Sequence, residues 1–326
     1  MPAITRRHAL MTGAALSAAT LGGRRAHAAY PDRPVKVVVP WAPGGSTDIL
    51  ARIVAERMRE ALGQGFVVEN RPGASGNIGS EVVAKSPADG YTLLFGSMST
   101  HAMNEALFTS MPFDGVGAFT PISLLAYVTN TMVVHPSVPA ATVPEFIAYL
   151  RANPGRVAYA SAGAGSTNHL CAALFAQATG TQMVHVPYRG GAPAVLDTVS
   201  GQTQLLFSAG TQTLEHVAVG KLRLLGVTEA RRAALLPDVP TVMESLPGFE
   251  MAVWYGAFGP AGLPGEVTAR LNAEINRALF LPDVRKRMAD IGVEVANETP
   301  EAFARTLRAD AERWGRVIRE LGIKAG

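Results

Sequence analysis

Gly45-Ser46-Thr47-Asp48-Ile49-Leu50 and Gly165-Ser166-Thr167-Asn168-His169-Leu170 are two copies of one pattern, Gly-Ser-Thr-(Asp/Asn)-x-Leu. Each copy follows a short apolar run and precedes residues at helical spacing. Val35 to Val39 comes before the first copy, and Ile53, Val54, Met58 and Leu62 extend its helical face. Val157 to Ala160 comes before the second copy, and Leu174, Phe175 and Ala178 follow it up to Gly180. Each copy therefore marks a turn from strand to helix. A turn of this kind, used twice, predicts two related α/β lobes.

The flanking sequence repeats the alternation. Phe66 to Val68 reads as a strand, and Ile78, Val82 and Val83 begin a helix that stops before Ser86-Pro87-Ala88-Asp89-Gly90. Tyr91 to Phe95 reads as a third strand. In the second half, Thr131 to Val134, Met183 to Val186, Leu205 to Phe207 and Leu222 to Val227 read as strands. Val143 to Leu150 and Pro193 to Val199 read as helices, and the C-terminal third carries Val267 to Phe280, Val284 to Ile291 and Glu301 to Leu321. The expectation is α/β with a largely parallel sheet. Lobe 2, residues 130–253, is inserted into lobe 1, residues 29–129 and 254–326. The crossovers are expected at 127–132 and 252–256.

A turn of this kind has a chemical use. The first N–H groups of a helix lack intrahelical partners, and the dipole there is positive. Glycines allow close approach, and Ser or Thr hydroxyls cap the helix or donate to a ligand. Such a turn binds an anion without Lys or Arg. In open α/β sheets, ligands sit beyond the C-terminal ends of the strands. Two such turns, one in each lobe, can face each other across a cleft.

Further loops share this character. Asn70-Arg71-Pro72-Gly73-Ala74-Ser75-Gly76 follows the second strand, and Pro187-Tyr188-Arg189-Gly190-Gly191 follows a strand of lobe 2. Ser97, Ser99, Thr100 and His101 follow the third strand. Each residue also has a plainer reading. Ser, Thr, Asp and Asn before helices often only cap them. Asp48 is either a helix-start charge or a ligand group, and as a carboxylate it opposes an anion unless it only orients backbone. Trp41 either covers a ligand or closes the core, and Trp254 is either a cleft floor or hinge packing. Arg71 and Arg189 each either pair with a carboxylate or stay solvated. His169 either bonds locally or touches the ligand.

Composition narrows the function classes. The chain has 326 residues, 48% hydrophobic and 17% charged, which excludes extensive disorder. Arg6 and Arg7, the apolar run Ala9 to Leu21, and Ala26-His27-Ala28 read as an export signal cleaved near Ala28, with residues 1–28 removed. Thr5-Arg6-Arg7 with Leu10 fits a twin-arginine signal, and an ordinary secretory signal with two adjacent arginines is the alternative. Four arginines and no acidic residue leave with this segment, so net charge goes from +3 to −1 (3 − 4). The mature chain has no basic excess pointing to nucleic acid. The single Cys171 excludes an intramolecular disulfide and sits in an apolar helical pattern. No Gly-x-Ser-x-Gly, Gly-x4-Gly-Lys-(Ser/Thr) or His-Glu-x-x-His motif occurs, and the seven histidines lack metal-ligand spacing. No metal and no cofactor are expected.

Five stretches carry a family resemblance. They are Pro40-Trp41-Ala42-Pro43-Gly44-Gly45 with Asp48, Glu69-Asn70-Arg71-Pro72-Gly73-Ala74-Ser75-Gly76, Ala88-Asp89-Gly90-Tyr91-Thr92-Leu93-Leu94, Tyr159-Ala160-Ser161-Ala162-Gly163-Ala164-Gly165-Ser166, and Val186-Pro187-Tyr188-Arg189-Gly190. In this order they resemble the periplasmic substrate-binding proteins of the tripartite tricarboxylate transporter family, the Bug receptors. The resemblance covers essentially all of 30–326. It implies a type II periplasmic-binding-protein fold, two α/β lobes joined by a hinge with a ligand cleft between them. It also implies capture of a small carboxylate and delivery to the transporter's membrane subunits, with no catalysis.

The loops singled out above match the family's ligand loops. On the lobe 1 side these give Trp41, Ala42, Pro43, Gly44, Gly45, Ser46, Thr47 and Asp48, then Gly73, Ala74, Ser75 and Gly76, then Ser97, Thr100 and His101. On the lobe 2 side they give Ser161, Gly163, Gly165, Ser166, Thr167 and His169, then Tyr188, Arg189 and Gly190, then Ser208. Family members often carry Lys where Arg189 stands, and many carry an acidic residue near Ser208 that holds an ammonium. Ser208 is neutral, so the expected ligand is a di- or aromatic carboxylate without an amino group. The expectation is a periplasmic monomer serving transport. A sensor passing its bound state to a signalling partner is the alternative, and an exported enzyme using Asp48 or His169 as a base is a third reading.

Overall fold

The first sheet is built around β1, Val35–Val39, whose side chains at Val37, Val38 and Val39 are fully buried. A computed structural model describes residues 30–325 of the chain. The expected signal, residues 1–28, lies outside the described residues. The compact unit carrying the fold begins at Arg33.

β1 is flanked in parallel by β2, Phe66–Asn70, and β3, Thr92–Ser97. The sheet continues antiparallel through β10, Val253–Pro260, β4, Phe119–Val128, and β11, Val293–Val295. Its order is β11-β4-β10-β3-β1-β2. The second sheet has the order β7-β6-β8-β5-β9. Here β6, Ala158–Ser161, pairs in parallel with β7, Val184–Pro187, and β8, Leu205–Ala209. β5, Asn130–Val134, and β9, Arg223–Val227, complete it antiparallel.

The two sheets share one plan, with β2-β1-β3 in lobe 1 matching β7-β6-β8 in lobe 2. Only these trios are parallel, which corrects the expectation of a largely parallel sheet. Each remaining strand runs antiparallel to its sheet neighbours, so β10, β11 and β5 oppose the trios and β4 and β9 run with them, and β4, β5, β9 and β10 carry the chain between sheets. It leaves the first sheet at Val128 and enters the second at Asn130, and it returns between Thr228 and Ala252. Thr129 is tied at this crossing: its N–H donates to Gly292 C=O at 2.9 Å, and its C=O accepts from Gly210 N–H at 2.7 Å.

The matching helices begin at the repeated motif. α1, Ser46–Leu62, has Gly45 as N-cap, Asp48 in its first turn and Arg59 in its last, so both charges complement its dipole. Gly63 closes it in the left-handed region, with φ 67°. The next helices are α2, Asn77–Ala84, the short α3, Asn104–Leu107, and α4, Val143–Ala152. α5, Thr167–Thr179, is capped by the Ser166 hydroxyl, which accepts from His169 N–H at 3.3 Å. α6, Gly191–Val199, and α7, Gly210–Ala218, finish lobe 2, and α8, Gly265–Leu279, α9, Pro282–Asp290, and α10, Pro300–Leu321, cover lobe 1.

β4, β10 and α7 carry no expectation from the sequence. Trp254 belongs to β10 and is core packing: its indole N–H donates to Asp310 Oδ2 at 2.6 Å, and Phe303 meets the ring edge-on. Cys171 is fully buried, and burial holds its thiol well above the usual value.

Candidate functional site

α1 and α5 start at equivalent places, past the ends of β1 and β6. The first intrahelical bond of α1 runs from Ile49 N–H to Gly45 C=O at 3.0 Å, so the N–H groups of Ser46, Thr47 and Asp48 precede the ladder. In α5 the first bond runs from Leu170 N–H to Ser166 C=O at 3.0 Å, and Ser166 Oγ takes His169 N–H. That leaves the N–H groups of Thr167 and Asn168. Both helix starts border one small cavity between the lobes, with a volume of about 40 Å³. That is room for roughly three waters at about 10–15 Å³ each.

The lining is polar and, among the described residues, carries no charged side chain. Gly45, Ser46 and Thr47 line it from lobe 1, and Ser166, Thr167 and Asn168 from lobe 2. Ser97 and Ser99 add to the first wall, their hydroxyls 2.9 Å apart. Ser208 and Gln212 add to the second wall, with Ser208 Oγ donating to Gln212 Oε1 at 3.1 Å. Asn130, at the crossing, lines it as well, and its amide donates to Thr228 Oγ1 at 2.9 Å. Tyr255 of β10 closes the bottom, its phenol pushed up to about 12 by burial against a weaker opposing bond with Ser46.

A second, outer compartment of about 200 Å³ shares Trp41 and Ala162 with the first. Gly73, Ala74 and Ser75 line it from lobe 1, and Gly163, Tyr188 and Arg189 from lobe 2. Among the described residues, Arg189 is its only charged lining residue. Tyr188 is committed elsewhere, donating to Asp197 Oδ2 at 2.7 Å. Ser75 Oγ donates across the cleft to Ala164 C=O.

Several expected ligand residues lie outside both compartments. Asp48 is 3% exposed and turned into its own loop. It accepts from Gly44 N–H at 2.9 Å, Arg52 Nε at 3.0 Å and Asn70 Nδ2 at 2.9 Å. Burial pushes its pKa up, and the bonds from Arg52, Gly44 and Asn70 outweigh this and hold it below the usual carboxylate range. Its role is to shape the Trp41–Gly45 turn, of which Ala42, Pro43 and Gly44 form the backbone. Arg71 is paired with Glu69.

His101 is a core residue of lobe 1. Its ring stacks on Phe258 with centroids 3.8 Å apart, and burial pushes its pKa down to about 3. Thr100 turns inward with it, its Oγ1 2.7 Å from His101 Nδ1. The cause is the π-helical turn Ser99–Met103, which rotates these side chains away from the cleft. His169 lies in lobe 2, stacked on His185 at 4.1 Å, and its Nδ1 accepts from Gly165 N–H at 3.1 Å. Ser161 bonds His185 Nε2 at 2.6 Å and Gly163 N–H at 3.1 Å. Both residues, with Gly165, shape the lobe 2 turn. Gly76 and Gly190 are close-approach positions: a Cβ on Gly190 would come within 3.0 Å of Ala42 Cβ across the cleft.

Asn130, Gln212, Val253 and Tyr255 line the inner cavity and were not legible as site residues. They lie on β5, α7 and β10, outside the Gly-rich loops.

This arrangement defines a two-lobed α/β binding protein of the type II periplasmic-binding-protein class, its pocket built from opposed helix starts. The chain belongs to the tripartite tricarboxylate transporter receptor family, whose model matches residues 50–323. A Pseudomonas sp. (strain P51) protein encoded in the tcbD-tcbE intergenic region is 38% identical over 98% of this chain and 96% of its own length. Protein BugT of Bordetella pertussis is 36% identical, covering 90% of this chain and 91% of its own length.

Solved structures agree. R. palustris Rpa4515 with adipate is 37% identical, with a TM-score of 0.88, over 90% of this chain and 99% of that one. The periplasmic binding protein BugD is 34% identical, with a TM-score of 0.87, over 90% and 99%. MatC from Rhodopseudomonas palustris with bound malate is 33% identical, with a TM-score of 0.85, over 89% and 100%.

Proposed function

We propose that this chain is an exported periplasmic receptor that captures a small dicarboxylate, or an aromatic carboxylate, without an amino group. It delivers the ligand as a monomer to the membrane subunits of a tripartite tricarboxylate-type transporter. One observation carries the reading. The starts of α1 and α5, with their Ser-Thr pairs, converge on a cavity that no charged side chain among the described residues lines. Unpartnered helical N–H groups and hydroxyls there favour an anion. The outer compartment, with Arg189, suits a second carboxylate.

The adipate and malate held by the two R. palustris relatives belong to the same chemical class. Asp48 and His169, the residues a base mechanism needs, hold loop backbone and lie off the cavity, so the reading is binding without turnover. Calorimetric titration of the mature chain with adipate, malate, succinate, phthalate, aspartate and glutamate tests it. The expected result is stoichiometric binding of at least one of the four acids lacking an amino group, and none of the amino acids. Tight binding confined to the amino acids contradicts it.

A further inference from the structure

Gln212 presents the inner cavity with a donor that has nothing to donate to. Its Oε1 is held by the Ser208 hydroxyl at 3.1 Å, which fixes the plane of the carboxamide. Its Nε2 is buried and has no hydrogen-bond acceptor among the described residues. The residue lines the inner cavity beside Ser46, Thr47 and Asn168. A buried donor left unsatisfied costs stability, and native folds keep few of them without a reason.

The backbone makes room for this amide. Gly191 opens α6 next to it, and a Cβ there would lie 2.6 Å from Nε2. Any side chain at 191 therefore displaces the amide. From lobe 1, a Cβ on Gly45 would sit 3.8 Å from the same nitrogen, so the start of α1 lies beside it. Gln212 is thus packed between two glycines, one on each lobe, with its NH2 at the seam.

We infer that Gln212 is a ligand-contacting, specificity-determining residue whose amide donates to an oxygen acceptor of the bound carboxylate and excludes a ligand with an ammonium at that place. The inference rests on the receptor reading above. It adds the residue that selects among carboxylates. A carboxylate, hydroxyl or carbonyl oxygen satisfies the amide. An ammonium faces it donor to donor and finds no acidic side chain among the described residues lining the cavity to hold it.

The test is calorimetric titration of the mature chain and of Gln212→Glu with the tightest-binding member of adipate, malate, succinate and phthalate, and with aspartate. Glu keeps the volume and still accepts from Ser208, but its ionised form has no donor. Because a hydrogen bond to a charged group is involved, Gln212→Glu is expected to weaken binding of the acid about 10- to 100-fold at pH 7. Binding by the variant recovers in part near about pH 5.5, as the buried carboxyl takes up a proton and regains an O–H donor. Gln212→Leu weakens binding and shows no such recovery. Thermal melting reports that each variant is folded.

A Gln212→Glu protein that binds the acid as the wild type does at both pH values overturns the inference and leaves the receptor reading standing. A wild type that binds none of the carboxylates overturns the receptor reading, and this inference with it.

Discussion

Ser46 of lobe 1 and Thr211 of lobe 2 meet hydroxyl to hydroxyl at 2.6 Å. Ser46 opens α1 and Thr211 sits in the first turn of α7, so this bond ties the two lobes directly at the cavity edge. Thr211→Val keeps the shape and removes the hydroxyl. Losing one such bond is expected to favour the open form by about 1 kcal/mol and to weaken ligand binding several-fold. Small-angle scattering of the ligand-free variant is expected to show a larger radius of gyration than the wild type. Identical radii would contradict the role given to this pair.

The Ser166 hydroxyl caps α5 and borders the cavity. Ser166→Ala removes the cap and is expected to cost about 1 kcal/mol of stability, measured by urea unfolding, together with a loss of affinity. Thr47→Leu separates the two effects. It fills a cavity of about 40 Å³ from a helix start, so binding should vanish while the cooperative thermal transition remains. Unchanged affinity in Thr47→Leu would show that the ligand lies elsewhere.

Asp48 acts through the loop it holds. Its carboxylate gathers Gly44 N–H, Arg52 and Asn70. Asp48→Ala is expected to destabilise the fold by roughly 1–3 kcal/mol through the donors left unpaired, and to weaken ligand binding although Asp48 lines neither compartment. With its folded pKa depressed, the contribution of Asp48 is present above the unfolded value of about 3.9 and is lost as pH falls through the lower folded value. An Asp48→Ala variant should therefore differ from wild type less in acid than at pH 7, in urea unfolding followed across that range.

Glu229 reports on the crossing between lobes. Its Oε1 accepts from Asn130 N–H at 2.6 Å, its Oε2 is buried without a partner among the described residues, and burial pushes its pKa up to about 7. A raised carboxyl pKa makes the folded state hold a proton that the unfolded chain releases near about pH 4.3. Stability therefore falls as pH rises from that value through about 7. Glu229→Gln keeps an acceptor for Asn130 and removes the charge. It should be more stable than the wild type at pH 8, by up to about 3 kcal/mol, with the difference vanishing near about pH 4. Urea unfolding at both pH values measures this, and a wild-type advantage at pH 8 would contradict it.

The parallel trios, with β5 and β9, are legible in the sequence, and β4, β10 and β11 are not, for a physical reason. Around Ser46 and Ser166, apolar strand, glycine turn and helical face follow one another in a pattern that only a strand-to-helix turn satisfies. β10 instead reads Val-Trp-Tyr-Gly-Ala-Phe-Gly-Pro, buried on both faces and broken by register shifts at Tyr255 and Ala257, so it has no alternation to detect. α7 opens with Gly210-Thr211-Gln212-Thr213, which has no apolar spacing. The place of Gln212 and Tyr255 on the cavity wall is illegible in the sequence for that reason. His101 was misplaced for another: it lies four residues past the β3 terminus, and a single π-helical turn sends its ring into the core.

A ligand carboxylate is expected to rest between the starts of α1 and α5. A crystal structure of the mature chain with whichever of adipate, malate, succinate or phthalate binds most tightly tests it directly. Carboxylate oxygens are expected at about 2.7–3.2 Å from the N–H or hydroxyl groups of Thr47 and Thr167, with the rest of the molecule running past Trp41 toward Arg189. A carboxylate held only by Arg189 in the outer compartment, with both helix starts facing water, would contradict it.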